Sequence, residues 1–454
     1  MARAPKTSEE PERSNALWVA WLFWGFCGWT LLYADRAVLS PSLAAIGRTF
    51  SAGPAALGLI ATSFFAAYTA IQIPVGVLSD RINPGWLVGF GTIGFGLFTA
   101  AMGASPTYPM LVAASILAGA FQGAFYPAQF AIASRTIPQA YRTFATSVIN
   151  SGMGAGIALG YVIGSVIHPS GSLGEGWRIP FLVLGGITAG FGIAIVRPGL
   201  LRGRHPAGRR ARSTPLGPRE RQVLRRFSLL NFASLFGFFF MLTWLPYYLA
   251  TALGLRPLTA GLIPAALALL AVGAALAWSR LGDRPGRRSR WIPRLFALAA
   301  LGLAAVAAGG VDRWLWLPGL VLYGLVGKLV MDPLLVAELS VHVRPETYGR
   351  AFGVLNFSGM LASVAAPEVA GLLLQLQLPM QDNFWLAAGL LAAAAGLATH
   401  PLPLPESLEE DKIRPDLEGA HSLPAATGAD SAPEIASERR NDHARSDSAD
   451  LVGQ

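Results

Sequence analysis

Cysteine and charge are both scarce in this sequence. The chain of 454 residues holds one cysteine, Cys27, which excludes a disulfide framework and any zinc or iron–sulfur site built from cysteines. Charged residues make up 13% of the chain, about half of the usual share in soluble domains. Hydrophobic residues make up 53%, and the mean hydropathy is +0.47. This composition excludes an ordinary soluble protein and predicts a surface that largely contacts lipid.

The sequence also lacks the motifs of common enzymes. No two of its six histidines have a metal-ligand spacing on a helix, and there is no nucleophile elbow, phosphate loop or ATP-binding cassette. We therefore expect no enzymatic activity, no bound metal and no cofactor.

Apolar segments long enough to cross a bilayer occur twelve times. A helix needs about 20 apolar residues to span the hydrocarbon, so the sequence predicts an all-α membrane protein with twelve transmembrane helices. The predicted spans 1 to 12 are 17–45, 54–78, 86–105, 108–133, 144–167, 178–196, 227–251, 258–279, 291–309, 314–340, 348–375 and 384–399.

The distribution of charge predicts the topology. Residues 197–226 hold ten arginines and one acidic residue, whereas the loops on the opposite side hold four basic residues: Arg48, Arg178, Arg256 and Arg313. Positive loops stay inside, so both termini are expected in the cytoplasm, with a multi-pass chain in the inner membrane. The same rule explains the net charge of +9, and we expect no nucleic-acid partner. The predicted parts are a cytoplasmic N-terminal tail (1–15), a six-helix bundle (16–196), a basic cytoplasmic loop (197–226), a second six-helix bundle (227–400) and a disordered cytoplasmic tail (401–454).

Two loops half a chain apart carry a similar Asp-Arg pair. Gly76 precedes Asp80 and Arg81 after span 2, and Asp283 and Arg284 follow span 8. An acid–base pair at a helix end can interact with the dipole of a neighbouring helix, so we interpret these five residues as a gate. Simple anchoring by positive charge is the alternative, but it explains neither the aspartates nor their repetition.

Further segments complete a family pattern. They are Tyr33-Ala34-Asp35-Arg36 in span 1, Gly119 with Phe125-Tyr126-Pro127 in span 4, Trp177–Phe181 at the start of span 6 and Leu242–Tyr248 in span 7. Together with the loop motif, they make residues 16–400 resemble the major facilitator superfamily, and most closely its organic anion:cation symporter branch. The resemblance implies two pseudo-symmetric six-helix bundles that rock around a central cavity, which spans 1, 4, 7 and 10 chiefly line.

Ionisable residues inside the spans point to this cavity independently, since they are costly in lipid and usually face water. Arg36 is expected to bind the substrate, because a guanidinium stays charged and matches a carboxylate. Lys328 is expected to assist from the other bundle, or else to pair with Asp332, one helical turn further on. The remaining residues expected at the substrate site are Tyr33, Gln122, Gln129, Trp244 and Asn356. The two glutamines have interhelical hydrogen bonding as an equal alternative, and Tyr248 is expected in the outer aromatic belt rather than the cavity.

Three acidic residues are candidates for proton coupling: Asp35, Asp332 and Glu368. Asp35 is favoured, because a partly buried carboxyl group can take up and release a proton; a fixed counter-charge is the alternative. Span 4 departs from the family branch, which commonly has an arginine and a glutamate where this chain has Ser115 and Gln122. Span 5 carries glycines at every fourth position from Gly152 to Gly164, which indicates close helix packing.

The sequence therefore predicts a monomeric secondary transporter that moves a small organic anion, a carboxylate or sugar acid, by proton-coupled alternating access. Its expected partners are this substrate, protons and the lipid bilayer. The missing charges of span 4 and the aromatic residues of span 7 favour one alternative, an exporter of a siderophore-like or drug-like molecule. A non-transporting membrane sensor with the same fold is the other.

Overall fold

Helices form all the regular secondary structure that is described in this computed structural model. The structure describes residues 9–79, 83–125, 142–167, 175–196, 215–282, 288–309, 314–344 and 347–400, and no strand occurs among them. The helices are α1 (Glu9–Ala37), α2 (Leu39–Phe50), α3 (Pro54–Ser79), α4 (Pro84–Ala104), α5 (Tyr108–Gly123), α6 (Arg142–Val166), α7 (Arg178–Val196), α8 (Pro218–Thr251), α9 (Pro257–Gly282), α10 (Arg288–Ala308), α11 (Trp316–Val326), α12 (Lys328–His342), α13 (Tyr348–Gln375) and α14 (Met380–Thr399). Nine helical segments of this described part are long and apolar enough to cross a bilayer by themselves, counting α11 and α12 as one.

Two predicted spans are each divided into two helices, which the sequence did not indicate. Span 1 forms α1 and α2, which meet at Val38, and span 10 forms α11 and α12, which meet at Gly327. Gly327 has φ −72° and ψ −161°, and a Cβ atom there would lie 2.7 Å from the Tyr323 carbonyl oxygen. The break gives α12 an N-terminus of its own within the span, beginning at Lys328.

The glycine stripe of span 5 gives the close helix packing that its spacing predicted, and the helix that α6 packs against is α1. A Cβ atom on Gly152 would lie 2.6 Å from the carbonyl oxygen of Phe26 in α1. Cβ atoms added to Gly156 and Gly160 would collide with other backbone carbonyl oxygens of α1. Small residues are enriched at interfaces within membranes because they let two backbones approach. These contacts fix α1, which carries the central charged residues.

The two bundles contact each other along α3 and α13. Cβ atoms on Gly58 and Gly371 would approach the carbonyl oxygens of Pro367 and Pro54 at 2.6 and 2.7 Å, respectively. Thr62 Oγ1 donates a hydrogen bond of 3.1 Å to the carbonyl oxygen of a residue in α13, Val364. The close packing lies toward the ends of the spans at the α2–α3 turn.

Further contacts between the bundles involve α8 and α9. Ser40 of α2 donates a hydrogen bond to the carbonyl oxygen of Thr243, and the Tyr161 hydroxyl of α6 donates to that of Leu242 at 2.9 Å. Gly261 of α9 lies directly against the Ser165 side chain at the end of α6. The bundles are therefore held together around span 7 and toward the α2–α3 turn.

A charged cluster fastens the start of α8 to the connection between α12 and α13. Glu220 accepts hydrogen bonds from Arg344 Nε, Nη2 and the Arg344 backbone N–H at 2.9–3.2 Å, and from Thr347 Oγ1 and the Gly217 N–H. Burial alone would raise the pKa of Glu220, but these donors, chiefly Arg344, outweigh it and lower the pKa to about 2. The face of the protein that carries this start of α8, together with the ends of α12 and α14, is called the linker face below.

Candidate functional site

Arg36 lies near the end of α1 and is held by a side chain of span 4. Its Nε donates a hydrogen bond of 2.7 Å to Gln122 Oε1, and Gln122 Nε2 donates to the Leu32 carbonyl oxygen at 3.2 Å. Gln122 is buried, so the interhelical hydrogen bonding considered for it is present. Its bond also orients the residue that we expect to bind substrate.

Aromatic rings surround the Arg36 guanidinium. The Cζ atom lies 4.8, 5.5, 5.5 and 4.7 Å from the ring centroids of Tyr33, Phe64, Phe65 and Tyr68, respectively. Cation–π attraction at these distances stabilises a charge in a poorly hydrated place. Tyr33, predicted at the substrate site, thus contacts the predicted anion-binding residue.

A polar chain leads from Arg36 to the other bundle. The Tyr68 hydroxyl interacts with Arg36 and with Gln72, and Asn356 Nδ2 of α13 donates a hydrogen bond of 3.1 Å to Gln72 Oε1. Asn356 was predicted as a substrate residue, and here it reaches Arg36 through two intermediates. Tyr68 and Gln72 were missed in the sequence, although two polar residues four positions apart in an apolar span were an available signal.

Lys328 is the first residue of α12, and it is buried. Its Nζ lies 2.9 Å from Asp332 Oδ2, 5.0 Å from the Phe238 ring centroid and 4.0 Å from Met153 Sδ of the other bundle. The pairing of Lys328 with Asp332 is therefore present. The like charges of Lys328 and Arg36 repel each other across the bundle interface. The two cations that the sequence singled out therefore belong to opposite bundles and lie within range of each other's charge.

A cavity of about 80 Å³ lies beside Lys328. Its lining is largely apolar and comes from both bundles, including Tyr161, Phe238, Leu242, Pro264, Gly324 and Lys328. The N-terminus of α12 also borders it, and the partial positive charge of a helix N-terminus adds to that of the lysine. The arrangement can attract an anion to the end of α12.

Asp35 points away from Arg36, as the neighbouring positions of the two residues on the α1 helix indicated. Its Oδ2 accepts a hydrogen bond of 2.7 Å from Thr188 Oγ1 of α7, and its Oδ1 has no hydrogen-bond partner among the described residues. Asp35 is buried within the first bundle. A proton on this residue would act on the packing of α1 against α7. Thr188 was not identified in the sequence, because nothing local connects it to Asp35.

The other two acidic candidates lie elsewhere. Asp332 faces Lys328, whereas Glu368 follows Pro367 at the contact between α3 and α13. Glu368 Oε2 is buried and makes no hydrogen bond within the described part of the chain. The structure therefore does not gather the three acids into one cluster.

Trp244 and Tyr248 are both fully buried in α8. The Trp244 indole N–H donates a hydrogen bond of 3.2 Å to the Pro367 carbonyl oxygen, and Trp244 is not among the residues lining the cavity. Its contact with substrate stays a prediction. The placement of Tyr248 in the outer belt is wrong, because its ring packs 4.8 Å from the Phe384 ring inside the second bundle.

Several predicted residues have no described surroundings. Gln129, Asp80, Arg81, Asp283 and Arg284 lie outside the described residues, and Gly76 lies near the end of α3. The gate at these loops stays a prediction.

Comparison with known proteins decides the family. Residues 25–367 match the model of the Major Facilitator Superfamily. The chain belongs to this superfamily. It is thus a multi-pass membrane transporter and not an enzyme, and the resemblance noted in its motifs is confirmed.

Relatives in this superfamily align with most of the chain. A gentisate transporter of Corynebacterium glutamicum is 28% identical, covering 84% of this chain and 86% of its own. A voltage-gated purine nucleotide uniporter of Rattus norvegicus is 25% identical over 82% of this chain and 87% of its own.

Solved structures show the same fold at low identity. The inward-open xylose transporter XylE of E. coli matches this chain with a TM-score of 0.72. The two sequences are 16% identical, and the match covers 87% of this chain and 99% of that one. An inward-facing bacterial homologue of the human lysosomal transporter Spinster gives 0.69 at 16% identity, over 83% and 95% of the two chains. The predicted fold, twelve transmembrane helices in two six-helix bundles, is confirmed.

Proposed function

We propose that this protein carries a small organic anion, a carboxylate or sugar acid, across the inner membrane by proton-coupled alternating access. The observation that carries the proposal is the placement of one cation in each bundle: Arg36 bonds to Gln122 within the first bundle, and Lys328, at the N-terminus of α12, reaches Met153 Sδ of the first bundle at 4.0 Å. Gentisate and purine nucleotides, the cargoes named for two relatives, are both anions, which supports this class of substrate.

Arg36 would bind the carboxylate through its Nη groups, since Gln122 already accepts the hydrogen bond from Nε. The rings around the guanidinium keep it oriented and poorly hydrated, which strengthens a charge-assisted hydrogen bond. Lys328 would exchange Asp332 for a second polar group of the substrate. Because the two cations belong to different bundles, a bound anion would contact both bundles at once. This would favour the rocking of one bundle against the other while the substrate is bound.

Asp35 would carry the proton. Its unpartnered Oδ1 offers a position for one, and Thr188 holds the other carboxylate oxygen. Protonation would remove a buried charge between α1 and α7 and so change the packing of the helix that bears Arg36. Asp332 and Glu368 would act secondarily, the first by releasing Lys328 and the second at the contact of α3 with α13.

We infer the orientation from the basic charge of loop 197–226. With that loop in the cytoplasm, the linker face and both termini would be cytoplasmic, and the bundle contacts near the α2–α3 turn would close the opposite side. We propose a monomer as the transporting unit, because each bundle contributes one of the two cations within a single chain.

One observation favours export of a drug-like or siderophore-like molecule as a second candidate. The lining of the cavity beside Lys328 is largely apolar, which suits an amphipathic cargo better than a sugar acid.

Uptake into sealed proteoliposomes tests the proposal, with gentisate as the first probe. An inward proton gradient should accelerate its accumulation, and a protonophore should abolish the effect. The variant Asp35→Asn should lose gradient-driven accumulation but keep gentisate exchange, whereas Asp382→Asn, a carboxylate in the first turn of α14, should behave as the unaltered protein. Accumulation by Asp35→Asn would contradict the assignment of the proton. Movement of amphipathic molecules alone would favour the exporter, and no flux of any cargo would indicate the sensor.

A further inference from the structure

A second cavity, larger than the one beside Lys328, lies at the linker face of the second bundle. Its volume is about 380 Å³, and the ends of α8, α10, α12 and α14 enclose it. The polar residues that line it include Arg226, Ser289, Arg290, Glu338, His342 and His400. All lining residues belong to the second bundle, so the cavity is separate from the interface at which substrate is proposed to bind.

Positive charge dominates this lining. Two guanidinium groups, of Arg226 and Arg290, line it against one carboxylate, that of Glu338, and two imidazoles complete the polar lining. The cavity also lies beside the first turn of α10, a helix of 21 residues whose N-terminus begins at Arg288. Unpaired N–H groups and the helix dipole favour anions there.

Hydrogen bonds hold several of these side chains in place. Arg226 Nη2 donates to the His400 carbonyl oxygen, which connects α8 to the end of α14. His342 Nδ1 lies 3.0 Å from the Glu338 carbonyl oxygen, and the imidazole packs 6.5 Å from the Phe227 ring centroid. These contacts order the walls that α8, α12 and α14 contribute, whereas Arg290 of α10 is exposed at the mouth of the cavity.

The surroundings are those of a membrane interface. Trp278 and Trp291 pack together near the linker-face ends of α9 and α10, with ring centroids 5.1 Å apart, and the Arg294 guanidinium lies 5.4 Å from the Trp291 ring centroid. Tryptophan and arginine concentrate at the level of lipid head groups. Basic pockets between transmembrane helices at such a level suit phosphate groups.

We propose that this cavity binds the phosphate of a glycerophosphate group, with Arg226 and Arg290 as the phosphate ligands and Glu338 accepting a hydrogen bond from a glycerol hydroxyl. The chemistry is shared by an anionic phospholipid head group and by free glycerol phosphate. Because the ligand would join four spans, its binding should stabilise the second bundle. This inference is independent of the proposed cargo.

Binding of phosphatidylglycerol to the full chain tests the site. The protein is placed in phosphatidylcholine nanodiscs with or without phosphatidylglycerol, and bound lipid is counted by native mass spectrometry while the melting temperature is followed. Free sn-glycerol 3-phosphate, added to detergent-solubilised protein, forms the second arm. The double variant Arg226→Gln/Arg290→Gln removes the proposed ligands, and Arg225→Gln/Arg294→Gln removes two arginines near them on the same helices.

We expect the unaltered protein and the Arg225/Arg294 variant to bind phosphatidylglycerol and to melt at a higher temperature with it. The Arg226/Arg290 variant should bind it at least about tenfold more weakly, in line with the loss of charged hydrogen bonds. Ala398→Leu, which fills the cavity and changes no charge, should also weaken binding, and it tests the site if the double variant does not fold.

The outcomes separate the sources of the ligand. Specific binding in the lipid arm identifies a head group, and binding in the glycerol phosphate arm alone identifies a soluble ligand; both support the site. Equal losses in the two double variants would show only general attraction to a basic surface and would overturn the proposal. The proposal would also be overturned if Ala398→Leu and Arg226→Gln/Arg290→Gln both left binding unchanged. Absence of binding in both the lipid arm and the glycerol phosphate arm would overturn it as well.

Discussion

Replacing Arg36 by glutamine should weaken the binding of an organic anion by roughly tenfold to a hundredfold. Hydrogen bonds to charged groups contribute about 1.5–3 kcal/mol, and about 1.4 kcal/mol corresponds to a factor of ten in affinity. The guanidinium is preorganised by the 2.7 Å bond to Gln122 and by its aromatic neighbours, so little ordering opposes binding. Arg36→Lys should lose less, because it keeps the charge but neither the planar fork nor the Nε bond.

The assay is calorimetric titration of gentisate into purified protein, with the circular dichroism spectrum and the elution volume as checks on folding. Arg256→Gln is the matched control, since Arg256 is an exposed arginine between α8 and α9. It removes the same charge from a position far along the chain from the site. Its affinity should stay within about a factor of two of the unaltered protein.

An affinity of Arg36→Gln close to that of the unaltered protein would refute direct contact between Arg36 and the anion. Equal losses in the Arg36 and Arg256 variants would refute it too, because they would show that net charge alone attracts the ligand. A loss confined to Arg36→Gln, with a smaller loss in Arg36→Lys, is the result that the geometry predicts.

Three further predictions concern coupling and stability. Thr188→Val removes the donor to Asp35 and should move the pH dependence of gentisate uptake toward higher pH, since a donated hydrogen bond favours the ionised carboxylate; an unchanged profile would separate Asp35 from coupling. Gly156→Val should lower the free energy of unfolding by about 1–3 kcal/mol through overpacking against α1, measured by thermal melting, whereas Gly190→Val, with open space around its Cβ position, should not. Glu220→Gln should destabilise the protein by about 1 kcal/mol at pH 7, the upper end for an ion pair with a half-exposed arginine. Because the folded-state pKa of Glu220 is about 2, below its ordinary value, its stabilisation is complete above about pH 4.5 and is lost as the pH falls toward 2, so the difference in denaturant midpoint should narrow over that range.

The features that local geometry determines could be predicted from the sequence. Adjacent positions on a helix differ by about 100°, so Asp35 and Arg36 had to face different neighbours. The four-residue spacing of Lys328 and Asp332 indicated their ion pair, and the glycine stripe indicated close packing without naming α1 as the partner.

The features that depend on tertiary packing could not be predicted from the sequence. Thr188 meets Asp35, and Gln122 meets Arg36, only because separate spans pack side by side. The break at Gly327 was hidden because glycine is common in membrane helices and the apolar run continues across it.

The cavity at the linker face was hidden for a different reason. The positive-inside rule accounts for Arg226 and Arg290 one at a time, and nothing in the sequence shows that loops on either side of spans 7 and 8 bring them to one place. The count of basic residues thus predicted on which side of the membrane these loops lie. It did not predict that Arg226 and Arg290 line one cavity.

A structure of the protein with bound gentisate tests the central claim most directly. The account predicts the carboxylate between the bundles, about 3 Å from the Arg36 guanidinium nitrogens, with Lys328 Nζ turned from Asp332 toward the ligand. A bound anion remote from Arg36, or an Arg36 side chain that faces lipid in the complex, would contradict it.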